Sequence, residues 1–210
     1  MEKIKVDYAA QQAFVKNNRP ELDALLARFV EGDKTLTPQE VASLYYSAPF
    51  AFGKANAANV ANADELYALE HYGVAYYLYL GALEAEPCSL LLLKKAANCN
   101  YFATIDRTDL AVQRQRLSLL QQAIMATGDG STPGTAISVV STPDEYQLLY
   151  NVFLAEDVIS QRTVSTDGPI VLDEMTVQVA GEPAPRKVYF ANYGETEADI
   201  QDFFERKKGY

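Results

Sequence analysis

Hydrophobic residues recur at helical spacing through roughly the first two thirds of this chain and alternate at strand spacing only in the last third. The clearest stretch is 72–87, YGVAYYLYLGALEAEP, where Tyr72, Ala75, Tyr79, Ala82 and Leu83 line one face of a helix. The small Ala75 and Ala82 let a neighbouring helix come close while Tyr79 fills the gap between them. Pro87, which has no N–H, ends simple continuation. Ahead of it, the spacing predicts a short amphipathic helix over 6–15 and a second over 20–29, opened by Pro20, striped with Leu22, Leu25, Leu26 and Phe29, and closed by Gly32. Thr37, Pro38 and Glu40 form a capping box that starts a third helix, with Val41, Leu44 and Tyr45 on its inner side. From Pro49 to Asn62 the composition turns to Ala, Asn, Gly and Phe, which predicts a long connection before a helix at 64–69. Two more helices are expected. One is capped by Ser89 and packs through Leu93, Ala96, Ala97 and Asn100; the other runs over 109–126 with Leu110, Leu117, Leu120 and Ile124 inward.

After residue 127 the pattern changes. A β-prone run covers 136–140, and Thr142, Pro143, Asp144 and Glu145 repeat the capping signal and launch a helix through Phe153. Strands are expected at 170–172, 175–179 and 187–191, with the turn Gly181-Glu182-Pro183-Ala184-Pro185 between the last two. A final helix, capped by Thr196, turns Ile200, Phe203 and Phe204 inward. The expected fold class is therefore α+β, with a helical region over 1–127 and a small sheet module with a helix over 128–210, packed on it.

The 72–87 helix resembles the second helix of a tetratricopeptide repeat, with its small, large, small ladder and following proline. An ordinary helical hairpin is the alternative, because a solenoid needs about three repeats and only one full unit is visible. A second resemblance rests on two blocks. The first is RPELDALLARFVEGDKTLTPQEVASLYYSAPF, carrying Arg28, Phe29, Gly32, Asp33, Thr35 to Thr37, Glu40 and Leu44 to Tyr46; the second is GDGSTPGTAISVVSTPDEYQLL. Together they resemble the signatures of the DUF4919 family, uncharacterised proteins found mainly in Bacteroidetes. Ser47 stands where that family usually has glycine, which bears on the turn expected after the tyrosines. The resemblance implies no activity. It implies a periplasmic or secreted location, since members commonly carry export signals; the start MEKIKVDYAA has no apolar export segment, so the alternatives are a removed leader or a cytoplasmic protein.

The 210 residues are 49% hydrophobic, enough for a substantial core. A net charge of −10 leaves no broad basic field, which disfavours nucleic acid as a partner, and no apolar run is long enough to be a transmembrane segment. Cys88 and Cys99, about 16 Å apart if they share a helix, are expected as free thiols; with His71 the single histidine, no metal motif and no cofactor are expected. Fourteen tyrosines without a tryptophan are the main excess. Tyr45, Tyr46, Tyr72, Tyr76 and Tyr77 are the candidate ligand-binding residues, as rings lining a groove for a protein or peptide partner; filling of helix contacts is the alternative. The expected function is a non-catalytic binding protein of the bacterial cell envelope. The competing reading is a hydrolase or glycan-handling accessory with a carboxylate site near Asp129, Asp144 and Glu145, which requires converging acids.

Overall fold

A computed structural model of the chain describes residues 3–164 and 171–193. The fold is α+β, and it divides into two compact units. One is Ala9–Ala123; the other joins Ile124–Tyr210 with Met1–Tyr8. The Ile4 N–H donates to the Ala126 carbonyl at 3.0 Å and ties the N-terminal stretch to the second unit.

The helical unit begins with α1 (Tyr8–Asn17), α2 (Arg19–Val30) and α3 (Pro38–Ala51). Gly32 closes α2 at φ +73, a left-handed conformation that favours glycine, and there the chain passes the Val112 side chain. The capping box of α3 is present. The Thr37 hydroxyl accepts from the Glu40 N–H at 3.2 Å, and the Glu40 carboxylate accepts from the Thr37 N–H at 2.7 Å. Arg28 draws this loop together by donating at 2.8 Å to both Asp33 and Glu40. Hydrogen bonds from Thr35 and Arg28 hold the Asp33 carboxyl at about 2, and those from Thr37 and Arg28 hold Glu40 at about 2.

Two expectations for this region are corrected. α3 runs through Pro49 to Ala51, so Ser47 lies in the helix and needs no glycine-like turn; it is fully buried, and its hydroxyl donates to Gln11 of α1 at 3.1 Å. The long connection is also shorter than expected, because α4 (Ala57–Ala68) starts at Asn56, whose side chain accepts from the N–H groups of Ala58 and Asn59. Alanine-rich sequence with a capping asparagine is helix-forming even without an apolar stripe.

α4, α5 (Tyr72–Ala85) and α6 (Leu90–Ala103) pack successively against one another. Ala75 and Tyr79 are fully buried, and Ala82 nearly so, as the ladder requires. The Ser89 hydroxyl caps α6, and Leu93, Ala96, Ala97 and Asn100 are buried. Cys88 and Cys99 are free thiols in the interior, and burial pushes the Cys99 thiol up to about 11. α7 (Arg107–Met125) departs from its expected stripe: Leu110 and Leu117 are only half-buried, whereas Gln113 and Arg116 are buried. The Arg116 guanidinium lies 5.0 Å from the centre of the Phe29 ring and donates to the Pro87 carbonyl at 2.9 Å.

The second unit holds a four-stranded mixed sheet of β1 (Ile137–Val139), β2 (Ala155–Val164), β3 (Val171–Val179) and β4 (Arg186–Asn192), in the order β1-β4-β3-β2. β1 is parallel to β4, and the other pairs are antiparallel. Helix α8 (Thr142–Asn151) packs against β1 and β2. Its cap is Ser141, one residue earlier than expected, whose hydroxyl accepts from the Asp144 N–H at 3.3 Å. β2 has no counterpart in the sequence expectations, since its residues AEDVISQRTV are mostly exposed on an edge strand and lack a clean alternation. β3 is one strand rather than two, because Asp173 and Glu174 continue it. The Asp173 carboxylate accepts from the Thr163 hydroxyl, while Glu174 accepts from Arg162, Lys187 and Tyr189 and is thereby held at about 2. Gly128 is required by space: a Cβ there would sit 2.3 Å from the Thr135 carbonyl oxygen. The expected helix after Thr196 and the strand residue Ile170 lie outside the described residues.

Two predictions follow from the helical packing. Ala75→Leu, which overfills the space beside Tyr79, is expected to cost about 1–3 kcal/mol in urea unfolding, whereas Glu84→Leu on the exposed side of the same helix should stay within about 0.5 kcal/mol. Asp33 and Glu40 have folded pKa values below their ordinary 3.8 and 4.5, so the stability they contribute is complete above about pH 4.5 and is lost as pH falls towards 2. Thr37→Ala is expected to cost about 1 kcal/mol at neutral pH and to shrink that acid-dependent loss, as read from thermal melts across the pH range.

Candidate functional site

Two tight helix-to-helix turns shape the most distinctive surface of the helical unit. α4 ends in a Schellman arrangement, with the Glu70 N–H donating to the Tyr67 carbonyl and the His71 N–H to the Leu66 carbonyl. Glu70 occupies the left-handed position, at φ 61, where glycine is usual. Thr104 does the same at φ 52 after α6, and the chain then turns at once into α7. Asp106 opens that helix: its carboxylate accepts from the N–H groups of Thr108 and Asp109, and its own N–H donates to the Asn100 side chain at 2.9 Å.

Because these turns are short, the residues at the helix ends meet. Tyr67 of α4 stands edge-on to Tyr72 of α5 with ring centres 5.3 Å apart; Tyr72 lies 4.9 Å from Phe102 of α6, and Phe102 lies 5.4 Å from Tyr101. The Arg114 guanidinium of α7 ends the row, 5.6 Å from the Tyr101 ring centre. Tyr101 is 58% exposed and Phe102 54%, well beyond what a core contact leaves open. Beside them Asn100, Tyr101, Thr104, Asp106, Arg107 and Arg114 line an open cleft of about 390 Å³.

Of the five candidate tyrosines, the structure brings only part to this surface. Tyr72 belongs to the row and is half-buried, and Tyr77 is exposed, edge-on to Tyr76 at 5.3 Å. Tyr45 and Tyr46 are buried within α3 with their rings 4.9 Å apart, so they fill the interior and line no groove. Tyr76 is buried too. Its hydroxyl donates to Asp109 at 3.2 Å and accepts from Gln113 at 3.1 Å, and burial raises its pKa. Tyr101 is one of the helical tyrosines from which a groove is expected, whereas Tyr67, Phe102 and Arg114 are not among the candidates. Tyr101 and Phe102 are adjacent aromatics at a helix end, a signal visible in sequence, but nothing local places Tyr67 or Arg114 beside them.

The carboxylates lie elsewhere. Asp129 sits in an exposed turn, where its carboxylate accepts from the Ser131 N–H at 2.9 Å and hydroxyl at 2.7 Å and is held at about 2. Asp144 and Glu145 are in the first turn of α8, both buried, with the Asn192 side-chain amide donating to Glu145 at 3.3 Å. His71 is an exposed residue at the start of α5. Among the described residues, no group of three or more His, Cys, Asp or Glu side chains is arranged to hold a metal ion, and no helix is long and apolar enough to cross a membrane.

Neither curated proteins nor solved structures provide a match to this chain. A family profile does. Residues 11–181, most of the helical unit and most of the sheet unit, match the domain of unknown function DUF4919, and the chain belongs to that family.

Proposed function

We propose that this is a non-catalytic interaction protein of the bacterial cell envelope whose helical unit, stacked in the manner of tetratricopeptide repeats, binds a protein partner through the aromatic row at the ends of α4, α5, α6 and α7. The observation that supports it most is the exposure of Tyr101 and Phe102 in continuous ring contact with Tyr72 and Tyr67. Large rings are costly to leave in water, and adjacent ones are enriched where proteins meet. The backbone supports the same reading. Two of the three non-glycine residues with positive φ among the described residues, Glu70 and Thr104, lie in the turns that assemble the row. A β-branched residue held left-handed is an uncommon expense to keep without use. The envelope setting rests on the family resemblance and on the frequency of export signals among its members.

Photo-crosslinking tests the surface. With p-benzoylphenylalanine replacing Tyr101, a discrete adduct to one partner is expected from cell-envelope extract, and it should be lost when Phe102→Ser accompanies the probe. The same bands from a probe at the exposed Glu156 of β2, or no adduct at all, would remove the proposal. Fractionation of cells expressing the gene with its natural 5′ end tests the setting: recovery with periplasmic or membrane markers is expected, and recovery with cytosolic enzymes alone rejects it.

A further inference from the structure

We infer that the partner segment bound at the aromatic row is acidic and that Arg107 and Arg114 receive its carboxylates in the cleft between α6 and α7; this rests on the binding reading above. The two arginines are seven residues apart on α7, so they share a face about 10.5 Å apart along the helix axis. Both line the cleft. Arg19, Arg28, Arg162 and Arg186 each hold a carboxylate of the chain, as expected for a protein with a charge of −10. Arg107 and Arg114 do not: among the described residues neither guanidinium forms an ion pair or a hydrogen bond.

The two acids at the start of α7 are oriented by neutral donors of the fold. Asp106 accepts from the backbone at the start of α7, and Asp109 accepts from the Tyr76 hydroxyl. Among the residues that line the cleft two arginines face one acid, Asp106, so its lining is formally positive on an acidic protein, and it opens beside exposed apolar rings. The Arg114 guanidinium also lies over the Tyr101 ring, 5.6 Å from its centre, which links the cleft to the aromatic row. A planar guanidinium binds a carboxylate in two parallel hydrogen bonds, a geometry that a lysine ammonium does not offer. What fits both halves of the surface is an extended segment with acidic residues on either side of an aromatic or large aliphatic one. The complementary charge speeds encounter and selects against basic partners.

Fluorescence anisotropy on the full chain tests this with a short fluorescein-labelled glutamate-rich peptide containing one central phenylalanine, and with its glutamine counterpart. The glutamate peptide is expected to bind the more tightly, to weaken at least about tenfold in the Arg107→Gln/Arg114→Gln variant, and to weaken with added salt. The Arg107→Lys/Arg114→Lys variant should retain intermediate affinity, and circular dichroism establishes that both variants fold. Tyr101→Ser/Phe102→Ser should weaken both peptides. Equal binding of both peptides, unchanged by Arg→Gln, overturns the acidic assignment while leaving an aromatic binding surface intact. Arginine-dependent binding of polygalacturonate without binding of either peptide overturns the polypeptide assignment. No binding of any probe, together with no adduct from Tyr101, overturns both.

Discussion

Tyr76 and Tyr79 carry phenol hydroxyls into the interior of the helical unit, and each has to find a partner there or forfeit a hydrogen bond. Tyr79 donates to Asp64 of α4 at 2.5 Å, and the same carboxylate oxygen accepts from Lys95 of α6 at 2.6 Å, so one acid joins three helices. Lys95 also lies 5.6 Å from the centre of the Tyr79 ring. Tyr76 reaches the other way, to Asp109 and Gln113 of α7 and to the Asn100 amide of α6. These two hydroxyls settle where α5 stands among its neighbours, which hydrophobic area alone would leave free to slide. Burial and the hydrogen bond to Asp64 together drive the Tyr79 pKa far upward, keeping it a neutral donor.

The aromatic row is a consequence of that placement. With α4, α5, α6 and α7 held by polar contacts in the interior, their ends meet through turns too short for a glycine-free chain to make without strain, and Glu70 and Thr104 accept the left-handed conformation. Tyr67, Tyr72, Phe102 and Tyr101 are then brought together from three helices. Asp106 and Asp109 are drawn into capping and into the Tyr76 network, and Arg107 and Arg114 line the cleft beside Asp106.

Much of the architecture was legible in the chain itself. Capping residues at Thr37 and Ser89, the stop at Gly32 and the ladder of Ala75, Tyr79 and Ala82 all act within a turn or two of their own position, and the structure places each as its local chemistry requires. The misses share a cause. Asn56 opens a helix whose alanine-rich face carries no apolar stripe, and β2 is an edge strand with little to bury. Gln113 and Arg116 interrupt the apolar face of α7 and still go inside, because Tyr76, Phe29 and the Pro87 carbonyl receive them. Among the tyrosines, Tyr45 and Tyr72 look alike on paper; one fills α3's interior and the other flanks an exposed ring.

Residue order alone determined the fold class, the position of most helices and the family, because each depends on short-range periodicity, capping or a contiguous motif. Which tyrosines are core and which are surface, and that Arg114 lies over Tyr101 beside an open cleft, only the tertiary structure decided. Those pairings join residues on separate helices, and no spacing along the chain records a distance across space.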